Sequence, residues 1–159
     1  MISIKTIISG GQTGADQAGL DFAISAGIPH GGWCPKGRRS EDGPIPSKYS
    51  LQETLSDYYR DRTTRNVQDS DGTIVFISGS IEGEPGSALT LNLCKTHGRP
   101  NLLINLSIDS IENAAKLIRT FLRDYKIKIL NIAGSRASIS PGIGQKVIET
   151  LRLAISEES

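Results

Sequence analysis

Apolar residues fall along this chain in two alternating rhythms. Short runs rich in β-branched residues read as strands: the apolar start Ile2–Ser9, DGTIVFI at Asp71–Ile77, Asn101–Leu106, and KILNIA at Lys128–Ala133. Between them apolar positions recur every three to four residues, the spacing of one helix face. The first such face carries Ala15, Ala18, Gly19, Phe22, Ala23 and Ala26. Nearly all of these are small, so this helix is predicted to lie tightly on a sheet and to end at Gly27. Further helices are predicted over about Gly86–His97, along the stripe Ile111, Ala114, Ala115, Ile118 and Leu122, and along Ile143, Val147, Ile148, Leu151 and Ile155. Ile28–Trp33 is predicted as a short second strand. Ser50–Arg65 is predicted as a short helix, followed by an edge strand near Val67. The stretch CPKGRRSEDGPIP, Cys34 to Pro46, reads as a long loop, and loops of that length in a compact domain are usually functional or disordered.

Strands alternating with helices predict an α/β fold with a largely parallel sheet, formed by residues 1–159 as one domain. Composition changes this picture little. Hydrophobic residues make up 37% and charged residues 22%, as in an ordinary globular protein, and the net charge of +1 removes any global electrostatic case for nucleic acid or membrane binding. Cys34 and Cys94 lie far apart without metal or redox spacing, which suits a reducing cytoplasm. His30 and His97 are too few and isolated for a zinc site. The apolar run at the start is too short for a signal peptide, and no stretch is long enough to span a membrane.

The candidate chemistry sits in the turns. Strand, glycine-bearing turn and helix recur three times, as SGGQTGAD, ISGSIEGEPGSALT and IAGSRASISPGIG. In a parallel sheet all three turns emerge on one rim, where open α/β sheets bind ligands and helix N-termini favour anions. The first turn lacks the lysine of an NTPase loop and the glycine spacing of a dinucleotide fingerprint. Its Gly11, Gln12, Thr13 and Gly14 either wrap an oxyanion or simply make a tight turn with Thr13 as the helix cap. Asp16 either complements the helix dipole or accepts paired N–H donors from a heterocycle. Ser87 and Thr90 open the second helix, and Ser135 and Arg136 stand in the third turn. Lys36, Arg38 and Arg39 in the long loop either close over an anion or are neutralised by Glu41 and Asp42. Tyr58, Tyr59, Arg60, Arg62 and Arg65 mix aromatic and basic groups able to stack on a planar ring. No nucleophile elbow, paired metal-ligand histidines or Cys-His arrangement is present, so no catalytic residue and no metal ligand is assigned. The residues point to a binding domain for a polyanionic, heterocyclic ligand.

Four blocks resemble one family, the putative molybdenum carrier proteins, also called molybdenum cofactor carrier proteins. They are SGGQTGADQAGLDFA, GGWCPKGRRSEDGPIP at Gly31–Pro46, RNVQDSDGTIVF at Arg65–Phe76, and more loosely GEPGSALT. They run in order from Ser9 to about Thr90, over half the chain; beyond them only the strand and helix pattern matches. The resemblance implies a Rossmann-like three-layer fold of the lysine-decarboxylase-like group, with five to six strands, and a homotetramer. It implies molybdenum cofactor as cargo, a pyranopterin with a terminal phosphate and oxo-molybdenum, stored or delivered without chemical turnover to molybdenum enzymes or cofactor-synthesis proteins. Carried over, Gly11, Gln12, Thr13 and Gly14 meet the anion, Lys36, Arg38 and Arg39 form a cationic lid beside Trp33, and Gly86, Ser87 and Thr90 stand at the second helix end. Asp16 is then a ligand-facing carboxylate. A doubled glycine followed by threonine is usual in the family where Pro85, Gly86 and Ser87 stand here. The rival reading is a nucleotide-binding sensor, or a nucleotide phosphoribohydrolase of the same fold group. In the hydrolase motif Leu93 falls where the catalytic glutamate belongs, which removes its general base.

Overall fold

A computed structural model of the chain describes residues 2–155. Its elements, in order, are β1 (Thr6–Ile8), α1 (Ala15–Ala26), β2 (His30–Gly31), β3 (Trp33–Cys34), β4 (Arg39–Ser40), β5 (Gly43–Pro44), β6 (Gln52–Glu53) and α2 (Tyr59–Asp69), then β7 (Gly72–Ile77), α3 (Pro85–Thr96), β8 (Asn101–Asn105), α4 (Ile111–Asp124), β9 (Ile129–Gly134) and α5 (Ile143–Ile155). Five strands form one wholly parallel sheet in the order β2-β1-β9-β7-β8. Helices α1, α4 and α5 pack together on one face and α2 with α3 on the other, which makes the three-layer α/β architecture. All six residues of β7 are buried, as expected of a strand covered on both faces.

The main core lies between the sheet and α1, α4 and α5, around Phe22, Ile74, Phe76, Ile118, Ile132 and Leu151. The small face of α1 is explained by its contact with β9. A Cβ placed on Gly19 would stand 2.7 Å from Ile132 Cβ, so the helix rests directly on the strand. Gly27 closes α1 in the left-handed conformation, φ 70°, as its position after the last periodic residue predicts.

Two segments differ from the sequence expectation. Val67 lies in α2, not in an edge strand, and the helix runs from Tyr59 through it to Asp69. The buried face of α2 is made of Arg62, Asn66 and Val67, two polar residues and one apolar one, so apolar rhythm does not carry the predicted short helix on past Arg65. The long loop after Cys34 is ordered by pairing. Trp33–Cys34 joins Gln52–Glu53 in a short parallel ladder, and Arg39–Ser40 folds back on Gly43–Pro44 as a hairpin.

The topology positions the rim. From β1 the chain steps outward to β2, crosses to β7, steps outward the other way to β8, and returns as β9 between β1 and β7. The direction of winding therefore reverses at the three central strands, whose carboxyl ends carry the three glycine-bearing turns.

Gly19→Ala tests the close packing of α1. Helix propensity alone would stabilise by about 1 kcal/mol, but overpacking against Ile132 is expected to outweigh it and leave a net loss of about 1 kcal/mol or more in urea unfolding.

Candidate functional site

The three turns are joined through their backbones. Gly14, at φ 80°, lets the first turn approach the third so closely that a Cβ there would stand 2.3 Å from the Ser135 carbonyl oxygen. The Ala15 N–H donates to that same oxygen at 3.0 Å, and the Ala137 N–H donates to Thr13 Oγ1 at 3.1 Å. Ser135 Oγ reaches the second turn, donating to the Glu84 carboxylate with both oxygens 2.6 Å away. Between the turns and α2 opens a cavity of about 450 Å³, within the usual range of small-molecule sites.

One wall carries positive charge. Arg62 of α2 donates from Nη1 to Asp16 Oδ2 at 3.0 Å, and both side chains are almost wholly buried. Gly10 makes room for this pair, because a Cβ there would coincide with the guanidinium, 1.6 Å from Nη1. Asp16 Oδ2 also accepts the Gln12 N–H at 3.2 Å. Burial pushes the Asp16 carboxyl above its ordinary value, against the opposing pull of Arg62 and of that N–H. Tyr59 lies beneath both Arg62 and Arg136, whose guanidinium carbons are 5.2 Å and 5.8 Å from its ring centre.

Gln12 and Arg62 both line the cavity, and their buried Nε2 and Nε have no hydrogen-bond partner among the described residues. Gln12 is held by its other end, where Oε1 accepts the Thr13 N–H at 3.1 Å and the Glu41 N–H at 2.9 Å. Glu84, also on the lining, is 3% exposed, and Ser87 Oγ donates to it at 3.1 Å alongside Ser135. Asn131 to Gly134, at the end of β9, also line the cavity.

Of the residues singled out in the sequence, Gln12, Asp16, Gly86, Ser87 and Thr90 line this cavity. Gly11 and Gly14 serve the turn itself: Gly11 donates its N–H to Ser9 Oγ and lies under Ile45 and Leu51. Thr13 caps no helix; its hydroxyl donates to Glu41 and accepts from Ala137. The basic loop has other partners. Arg38 closes its own loop, with Nη2 2.9 Å from the carbonyls of Pro46 and Tyr49. Arg39 pairs with Asp57 at 2.8 Å, and Lys36 is exposed to solvent. Trp33 stands on the outer side of α2, its Nε1 donating to Asp69 at 2.8 Å and its ring under Arg65. Cys34 is buried with Leu20, Ile45 and Tyr49, and burial pushes its thiol pKa up. Among the described residues no cluster of metal-ligating side chains occurs.

Sequence reasoning missed Glu84 and Asn131, while Arg136, set in the third turn, and Tyr59 and Arg62 of the aromatic and basic cluster do line the cavity. Glu84 had one local signal, a carboxylate directly before the Pro85 that opens α3. The pairing of Arg62 had none, since its partner Asp16 lies 46 residues away.

The loop residue that does reach the rim is acidic. Glu41, at the tip of the β4–β5 hairpin, accepts from Thr13 and from the Ser138 N–H at 3.1 Å and hydroxyl at 2.5 Å. Arg136 stands 4.0 Å away. The hairpin is thereby tied across the first and third turns.

These features define a Rossmann-like α/β domain with its ligand crevice at the strand carboxyl ends. The chain belongs to the circularly permutated YpsA SLOG family, whose model matches residues 7–155. It is also similar to a solved structure, described as "Putative molybdenum carrier protein" from Syntrophus aciditrophicus SB. The two share 47% identity over 97% of this chain and 96% of the other, with a TM-score of 0.94. Among curated proteins none matches significantly.

The Glu41 tie has a pH signature. Its hydroxyl and N–H partners hold the Glu41 carboxyl below its ordinary value of 4.5. The stability it adds is therefore fully present above about pH 4.5 and is lost as pH falls through the lowered folded-state value. Wild type is expected to melt above Glu41→Gln at pH 6–7, with the difference closing as the solution is acidified below about pH 4.

Proposed function

We propose that this protein is a carrier that binds molybdenum cofactor in the crevice between the three turns and stores or delivers it without chemical turnover. The observation that carries this reading is the cavity at the strand carboxyl ends, whose lining brings Gln12 together with the guanidinium-bearing Arg62 and Arg136. A terminal phosphate and the oxo groups of the metal end are acceptors that such a lining satisfies. A pterin ring is flat enough to use Tyr59 and the end of β9, and a cavity of about 450 Å³ is of the right order for it. The similarity to a protein described as a putative molybdenum carrier, over nearly the whole of both chains, supports the same cargo.

Binding without turnover draws support from Leu93. The position that carries the catalytic glutamate in phosphoribohydrolases is here packed with Val67 and Cys94 in an apolar cluster. Two free, buried cysteines suit a reducing cytoplasm, and no helix among the described residues is long and apolar enough to cross a membrane. The family resemblance extends the proposal to a homotetramer that hands its cargo to molybdenum enzymes or cofactor-synthesis proteins.

Titration of ligand-free protein with freshly released molybdenum cofactor, with bound pterin quantified by fluorescence after oxidation, tests the reading. Saturable retention that slows cofactor decay, with AMP left intact, is the expected result. Retained nucleotide or released free base without pterin retention would overturn it. Arg136→Ala is expected to weaken cofactor binding by about 1.5–3 kcal/mol, the worth of a charge-assisted hydrogen bond, with little change in melting temperature.

A further inference from the structure

The β4–β5 hairpin is hydrogen-bonded to the rim through one residue. Among the described residues, the hydrogen bonds from its tip, residues 39–44, to the three turns all run through Glu41: its N–H donates to Gln12 Oε1, and its carboxylate accepts from Thr13 and Ser138. Arg39, Asp42, Gly43 and Pro44 beside it are exposed, and a Cβ placed on Gly43 would meet nothing within 4 Å. The other tie of the tip is the exposed pair of Arg39 with Asp57, a kind of contact that adds little stability. The tip therefore leaves the rim if the Glu41 carboxylate is displaced.

The groups that hold this carboxylate form a donor set for an oxyanion. They are the Ser138 N–H at 3.1 Å, the Ser138 hydroxyl at 2.5 Å and the Thr13 hydroxyl, with the Arg136 guanidinium 4.0 Å away. Thr13 is oriented for the task, because its oxygen accepts the Ala137 N–H and its proton is left to donate. Two of these residues, Arg136 and Ser138, also line the cavity, as does Gln12, which takes the Glu41 N–H. The same donors can thus serve the hairpin or a group reaching over from the cavity. A phosphate monoester brings three acceptor oxygens and nearly two charges where Glu41 brings two oxygens and one charge.

We propose that these donors form a phosphate-monoester subsite of the crevice, that Glu41 fills it in the free protein, and that the bound anion displaces Glu41 and frees the β4–β5 hairpin from the rim. The inference rests on the proposed carrier function and deepens it: the terminal phosphate of the cargo is the group that takes the place of Glu41. Loading the crevice then loosens the hairpin, and the closed hairpin lowers the affinity for any anion by the fraction of time it is shut.

Titration of isotope-labelled protein with inorganic phosphate at neutral pH, followed by amide NMR, reads the donors and the hairpin separately. The Ser138 N–H is expected to shift saturably, and the Glu41 N–H to lose its bond to Gln12 and exchange faster with solvent. Glu41→Gln and Glu41→Ala are expected to bind phosphate about tenfold more tightly than wild type, the gain for a hairpin shut about nine-tenths of the time. Asp42→Asn removes the same charge from the exposed neighbouring position and is expected to change the affinity by less than about twofold. Arg136→Ala in the Glu41→Gln background is expected to cancel the gain, and melting curves check that each variant folds. Equal affinity in wild type and Glu41→Gln, an equal gain from Asp42→Asn, a Glu41 N–H still protected at saturation, or no phosphate binding by folded Glu41→Gln would overturn the proposal. Titration of wild type and Glu41→Gln with released molybdenum cofactor separates the two ideas. Cofactor retained alike by both, with no gain in phosphate affinity, sinks the subsite alone. A phosphate gain without cofactor retention sinks the carrier reading and leaves the subsite standing.

Discussion

The crevice depends on the buried ion pair between Arg62 and Asp16. It joins α2 to the first turn of α1 across the end of the sheet, at 3.0 Å and nearly out of water. Removing one partner of such a pair leaves an uncompensated buried charge, at a cost of about 3–5 kcal/mol. Gly10 is the backbone accommodation that permits it, since any side chain there would occupy the guanidinium's place. Through Asp16 the pair also orders Gln12, whose backbone N–H is bound while its side-chain amide stays unpaired at the cavity wall. One ion pair thus ties α2 to the first turn of α1.

Around that anchor the charges are separated by function. Arg62 and Arg136 both lie against the Tyr59 ring and bring positive charge to the cavity lining, while Glu84 is held by two serine hydroxyls. Glu41 enters from outside the sheet, and its carboxylate takes up Thr13 and Ser138 close to Arg136. An anion-like group of the chain itself therefore occupies the junction of the first and third turns, next to the site proposed for a ligand's acceptors. The backbone that carries these groups matches that of the similar solved structure over nearly its whole length, at a TM-score of 0.94.

Much of the frame was legible from local rhythm. The strands around Ile74 and Ile132 and the helices carrying Phe22, Ile118 and Leu151 were predicted because their burial follows apolar periodicity. The helix α2 was predicted only in part, as a short helix within Ser50–Arg65 ending before Val67, because the side it buries is polar: Arg62 and Asn66 are held by Asp16 and by the Trp33 backbone, partners that no local pattern announces. The basic run Lys36, Arg38 and Arg39 invited a lid, yet Arg38 bonds carbonyls of its own loop and Arg39 pairs with Asp57. A cluster of charge in sequence says what a loop can bind, not which way each side chain turns.

By itself the sequence determined the α/β class, the parallel sheet and the placing of three glycine-bearing turns on one rim. Those follow from short-range spacing, which strand and helix geometry convert directly into faces and ends. Only the tertiary structure decided what the rim contains. The pairing of Arg62 with Asp16, the burial of Glu84 behind Ser135 and the tie of Glu41 to Ser138 join residues 46, 51 and 97 positions apart. Such contacts arise where the order β1-β9-β7 brings distant turns together, and hydrogen-bonding geometry there selects among polar residues that look alike in the chain.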